Sequence, residues 1–99
     1  MTHDISIPAQ EISDFCRHHR IRKLSFFGSV LRDDFSADSD VDVLVEFEPG
    51  AKLGLSFFGM EQELSSIIGR KVDLNTAQFL SPYFRDEIMA EAKVQYEQA

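Results

Sequence analysis

The sequence predicts a small α+β domain, an α/β sandwich in which a mixed β-sheet of about three strands is flanked by helices. Three observations lead there. Short β-branched or aromatic runs at residues 23–27, 41–47 and 71–75 alternate with longer stretches of helical periodicity. Turn signals close the first two runs, Gly28-Ser29 after one and Pro49-Gly50 after the other. Ninety-nine residues, 43% of them hydrophobic and nine of them phenylalanine, suffice for one core. A globule of this length has a radius of gyration of about 13 Å and buries roughly 60–65% of its unfolded surface. The chain therefore reads as one domain over residues 1–99, without room for a separate substrate-binding domain.

Taken in order, Ser6-Ile7-Pro8 opens the first helix, with Ser6 as cap and Pro8 in the first turn. Ile12, Phe15, Cys16 and His19 share one face of it. It fades in Arg17-His18-His19-Arg20, where cations complement the helix dipole. A buried strand at 23–27 runs into Gly28-Ser29, a short helix starts at Ser29, and the polar stretch 33–40 reads as a loop. The clearest strand is 41–47. Phe57, Met60, Leu64, Ile67 and Ile68 give a helix over 55–68 with Gly69 as its C-terminal cap. A third strand follows at 71–75. Ser81-Pro82 starts a last helix whose face (Phe84, Ile88, Ala92) is expected to continue to the end of the chain.

Composition narrows the function. Ten Lys and Arg against 17 Asp and Glu leave a net charge of −7, which argues against a nucleic-acid binder. The longest mostly apolar stretch, 53–60, is far short of the roughly 20 residues of a membrane helix. No signal pattern opens the chain, and the single cysteine, Cys16, forms no internal disulfide; a cytoplasmic location is expected.

The informative stretch runs from Gly28 to Asp42: Gly28-Ser29, ten residues, then Asp40-Val41-Asp42. Side chains alternate along a strand, so Asp40 and Asp42 share a face opposite Val41, Val43 and Val45. Two carboxylates about 5 Å apart at an effective dielectric near 20 repel by roughly 3 kcal/mol. A shared proton, a basic partner or a hard cation such as Mg²⁺ would offset that. The plainer reading makes Asp40 a turn cap and Asp42 part of a solvated sheet face. Gly28 lets backbone approach a phosphate closely, and the helix start after it offers N–H donors. The plainer reading there is a strand-to-helix turn with a serine cap. If the third strand lies beside the second, Asp73 completes a carboxylate triad suited to metal-assisted phosphoryl or nucleotidyl transfer.

This pattern resembles the signature of the DNA polymerase β-like nucleotidyltransferase superfamily. Chain length and the flanks Phe27-Gly28-Ser29, Arg32, 38–45 and 69–74 are similar to those of its minimal nucleotidyltransferases, the MNT proteins, from about Ile12 to Ala92. The resemblance implies a nucleotidyltransferase fold and a Mg²⁺-dependent enzyme using ATP. Asp40 and Asp42 would bind two Mg²⁺ ions bridging the triphosphate and the attacking hydroxyl. Asp73 would help to hold the metal nearest the nucleophile and steer its proton. Ser29 and the backbone of Gly28 to Val30 would hold the β- and γ-phosphates, and Arg32 would support them. MNT proteins act with a neighbouring HEPN-domain protein as a toxin–antitoxin pair. The resemblance thus implies a protein adenylyltransferase that moves AMP from ATP onto a tyrosine of the cognate HEPN RNase toxin in a hetero-oligomer, the acceptor supplying the rest of the substrate site. Two rivals stand beside it: an adenylyltransferase of a small hydroxylated molecule, and a fold that masks the toxin by contact alone.

Other features have plainer readings. Arg17, Arg20, Arg22 and Lys23 with His18 and His19 form the basic cluster, read as a solvated helix end. His18 and His19 diverge by about 100° on a helix and make a poor metal pair. Arg32, alone in a short helix, also fits a surface ion pair, and Cys16 fits the core. The apolar surplus at Leu53, Leu55, Phe57 and Phe58, together with Tyr83 and Tyr96, fits either core or a partner contact.

Overall fold

Apolar spacing and turn residues set the element borders in a computed structural model that describes residues 8–31, 40–50, 56–76 and 80–98. Helix α1 spans Ala9–His18 and buries Ile12, Phe15 and Cys16, as their spacing requires. Pro8 occupies its N-cap position; Ser6 lies outside the described residues. His19 falls just past the helix, half-buried, with Nε2 2.9 Å from Glu63 Oε1 on the next helix. Arg20, at φ 59°, turns the chain into β1, Ile21–Phe27. This strand starts two residues earlier than its apolar run suggests, because a bulge between Ile21 and Lys23 admits the fully buried Ile21.

A 3-10 turn (Gly28–Leu31) follows β1, and β2 is Val41–Phe47. Helix α2, Ser56–Ile68, buries Met60, Leu64 and Ile68. It ends at Gly69, whose φ of 79° and N–H bond to the Ser65 carbonyl match the expected cap. Strand β3 is Val72–Thr76, and α3 is Pro82–Glu91, capped by Ser81 Oγ accepting from the Tyr83 N–H. The last element departs from expectation. The helix stops at Ala92, where ψ is 137°, and Lys93–Glu97 forms a fourth strand, β4. Its residues find ladder partners in β1, with Tyr96 opposite Leu24 and packed against the core.

The sheet order is β3-β2-β1-β4, antiparallel except for the β2–β3 pair, which α2 connects in parallel. Helices α1 and α2 contribute to one core with Leu24 and Phe26 of β1, Val41, Val43 and Val45 of β2, and Val72 and Leu74 of β3. Ser25, Phe27 and Leu44 are buried on the other sheet face. Helix α3 buries no side chain and leaves Tyr83 91% exposed. Of the apolar surplus, Phe57 and Tyr96 pack on the core, Phe58 is exposed, and Leu53 and Leu55 lie outside the described residues. Burial pushes the Cys16 thiol up to about 12. Arg17, Arg20 and Arg22 of the basic cluster meet Asp14, Glu48 and Glu46. Among the described residues no helix is long and apolar enough to cross a membrane.

Candidate active site

Strands β2 and β3 run in parallel with Val41 opposite Val72, Asp42 opposite Asp73 and Val43 opposite Leu74. Residues opposite each other across a ladder project to the same face. The valines and Leu74 therefore enter the core, and Asp42 and Asp73 stand abreast on the other side. Neighbouring strands lie about 4.8 Å apart, so the two carboxylates arise from adjacent backbones. Asp42 is half-buried and Asp73 exposed.

Asp42 has a second ladder neighbour. Phe27, the last residue of β1, is its ladder partner on the other side. The next residue, Gly28, has φ 74°, and a Cβ there would run into Asp42 Oδ2. Glycine is thus required twice, by the left-handed backbone and by the carboxylate packed over its Cα. Ser29 follows in the 3-10 turn. On the far side of this turn Phe27 and Gly28 face Phe84, Glu87, Ile88 and Glu91 of α3 across a cleft of about 340 Å³.

Asp40 stands just before β2, its side chain 45% exposed and its Oδ2 3.9 Å from Lys71 Nζ. A hydrogen bond of 2.8 Å from the Val41 N–H to the Lys71 carbonyl ties the starts of β2 and β3 together beside it. Among the described residues no three His, Cys, Asp or Glu side chains form a ready ligand group. The structure therefore brings Gly28, Asp42 and Asp73 together, leaves Ser29 adjacent through the chain, and directs Asp40 toward Lys71. Arg32 lies outside the described residues. Asp42 and Asp73, carboxylates on two adjacent strands, are donors of the kind a hard cation takes as oxygen ligands.

Two further residues serve this region. Leu74 N–H donates to Glu61 Oε2 at 2.8 Å and Val72 N–H to Ser65 Oγ at 3.0 Å, both acceptors coming from α2. The two donors, Val72 and Leu74, flank Asp73 in sequence. In the sequence alone Glu61 and Ser65 read as solvent-facing polar residues; their signal is an i, i+4 spacing one position beyond the Met60–Leu64–Ile68 stripe.

Residues 9–94 match the nucleotidyltransferase domain family. The chain belongs to that family. This nucleotidyltransferase is 36% identical over 74 residues, 75% of its length and 78% of the other's, to a Methanocaldococcus jannaschii protein provisionally named a protein adenylyltransferase. A solved structure provisionally described as a minimal nucleotidyltransferase superposes with a TM-score of 0.71 at 32% identity, covering 86% of each chain. The fold alone is shared with a solved complex of a tri-AMPylated Shewanella oneidensis HEPN toxin and an MNT antitoxin. There the TM-score is 0.65 at 18% identity, over 91% of this nucleotidyltransferase and 70% of that chain. Family and fold together make the protein a transferase of nucleotidyl groups, of the minimal type.

Proposed function

We propose that this nucleotidyltransferase is the antitoxin of a HEPN/MNT pair, transferring AMP from ATP to a tyrosine hydroxyl of a HEPN-domain RNase toxin and so neutralising it. The observation that carries the reading is the placement of Asp42 and Asp73 abreast on one sheet face, with Gly28 under the Asp42 carboxylate. A relative provisionally named a protein adenylyltransferase supports it, as does a structural neighbour from a complex of an MNT antitoxin with a tri-AMPylated HEPN toxin.

Asp40, Asp42 and Asp73 would hold Mg²⁺, which when bound supplies charge neutralisation for the triphosphate and the departing pyrophosphate. Lys71 would then release Asp40 to the ion. Ser29 and the backbone of Gly28 to Val30 would orient the β- and γ-phosphates, and Arg32 would support them. Because Asp42 packs on Gly28, the phosphate turn and the acid keep one fixed spacing. Asp73, exposed at the outer strand, faces the acceptor and takes up the tyrosine proton. The tyrosine oxygen forms a bond to the α-phosphorus, the bond to the bridging oxygen breaks, and pyrophosphate leaves.

The test uses ATP labelled at the α-phosphate, Mg²⁺ and the protein encoded beside this one. Label should pass to that protein. Asp42→Asn should lower transfer by about 10²–10³-fold, the usual loss for a group that stabilises developing charge. Asp14→Asn, on the far surface of α1, should leave it unchanged. A second reading, masking by contact, is favoured by α3, whose Tyr83, Phe84 and Met89 are all exposed. Full neutralisation by Asp42→Asn would select it and exclude the enzymatic one.

A further inference from the structure

The strand that carries Asp73 has the least backbone support in the site. Strand β3 has five residues and, among the described residues, lies at one edge of the sheet and pairs with β2 alone. An edge strand presents alternate N–H groups with no ladder partner. In β3 those of Val72 and Leu74, immediately before and after Asp73, are taken by Ser65 Oγ and Glu61 Oε2. The Glu61 bond joins a carboxylate to a main-chain donor, the stronger class of hydrogen bond. Ser65 Oγ also donates to the Glu61 carbonyl at 2.8 Å, so the two acceptors are linked through their own helix. Burial of Met60, Leu64 and Ile68 fixes the rotation of α2, and Glu61 and Ser65 fall on the flank that meets the edge.

We infer that Glu61 and Ser65 are positioning residues, acting as a substitute neighbouring strand that sets β3, and through it Asp73, against Asp42. The inference rests on the reading of Asp73 as an active-site acid. The two clamps straddle Asp73 and hold the backbone on either side of it.

The test titrates Mn²⁺ alone into the full-length protein by calorimetry and follows amide hydrogen exchange on the same samples. Glu61→Ala should speed exchange at Leu74 and weaken Mn²⁺ binding about tenfold, the lower end of what outer partners of metal ligands contribute. Glu61→Gln keeps a carbonyl oxygen within reach and should recover most of that loss. Ser65→Ala should act in the same direction at Val72, by less, and provides the measurement if Glu61→Ala does not fold. Gln62→Ala, exposed on the same turn, should change neither. Equal losses in Glu61→Ala and Glu61→Gln would trace the effect to charge rather than to the bond and overturn the inference. So would unchanged Mn²⁺ affinity in Glu61→Ala and Ser65→Ala while Asp73→Asn weakens it. Unchanged affinity in Asp73→Asn itself would instead remove the active-site reading, and this inference with it.

Discussion

Strands β2 and β3 present two unlike faces at the same register. Val41, Val43 and Val45 with Val72 and Leu74 are all at most 4% exposed, and each such side chain contributes about 1.5–3 kcal/mol by burial. One residue away, on the reverse of the same backbone, Asp42 and Asp73 stand side by side. At about 5 Å and a dielectric near 20 that pair costs at most roughly 3 kcal/mol, less for the solvent around Asp73. The alternation of the strand thus separates what holds the fold from what the fold holds in place. A substitution on one face should act on stability, and its neighbour on the other face on chemistry.

The largest effect that would break this division is Leu74→Ala, which opens a cavity in the core and should cost about 2–5 kcal/mol in urea denaturation. Gly28→Ala comes next. It forces a Cβ into a left-handed backbone, about 1–2 kcal/mol, and adds the collision with Asp42. In an Asp42→Ala background the collision is removed, so the same substitution should cost measurably less, and a double-mutant cycle reads the difference. Equal costs in both backgrounds would disprove the coupling of turn and acid.

Cys16 tests the core face through pH. Its thiol is held near 12 in the fold against 9.0 ordinarily, so the unfolded chain ionises first. The stability tied to the neutral thiol is complete below about 9 and fades as pH rises from there through about 12. The stability difference between the wild type and Cys16→Ala should narrow across that window. The smallest expected effect is Asp73→Asn, within about 0.5 kcal/mol in stability despite its loss of transfer activity.

Local pattern made most of this fold legible. The stripes of α1 and α2, the valine run of β2 and the glycine cap at 69 carry their own periodicity and turn chemistry. Strand β4 did not show itself, because Phe84, Ile88 and Ala92 carry a helical spacing up to its first residue. Its five residues become a strand only through pairing with β1, far earlier in the chain. The site divides in the same way. Asp40 and Asp42 are visible in one tripeptide, whereas the partnership of Asp42 with Asp73 depends on which strand lies next to β2. That neighbour is decided by how α2 crosses back over the sheet. Glu61 and Ser65 were illegible for a related reason: their partners are backbone N–H groups, which leave no mark on residue type.

The parallel pairing of β2 with β3 also orders events in time. The β1–β2 pair needs only the chain up to Phe47, and a nascent chain of that length already carries Asp42 and the Gly28 turn. The second acid arrives only after α2 has formed and folded back, a loop closure that must precede any gain from the contact. During synthesis the acid pair is therefore a late product, absent from every chain that ends before β3 and present once the sheet has been assembled through that strand.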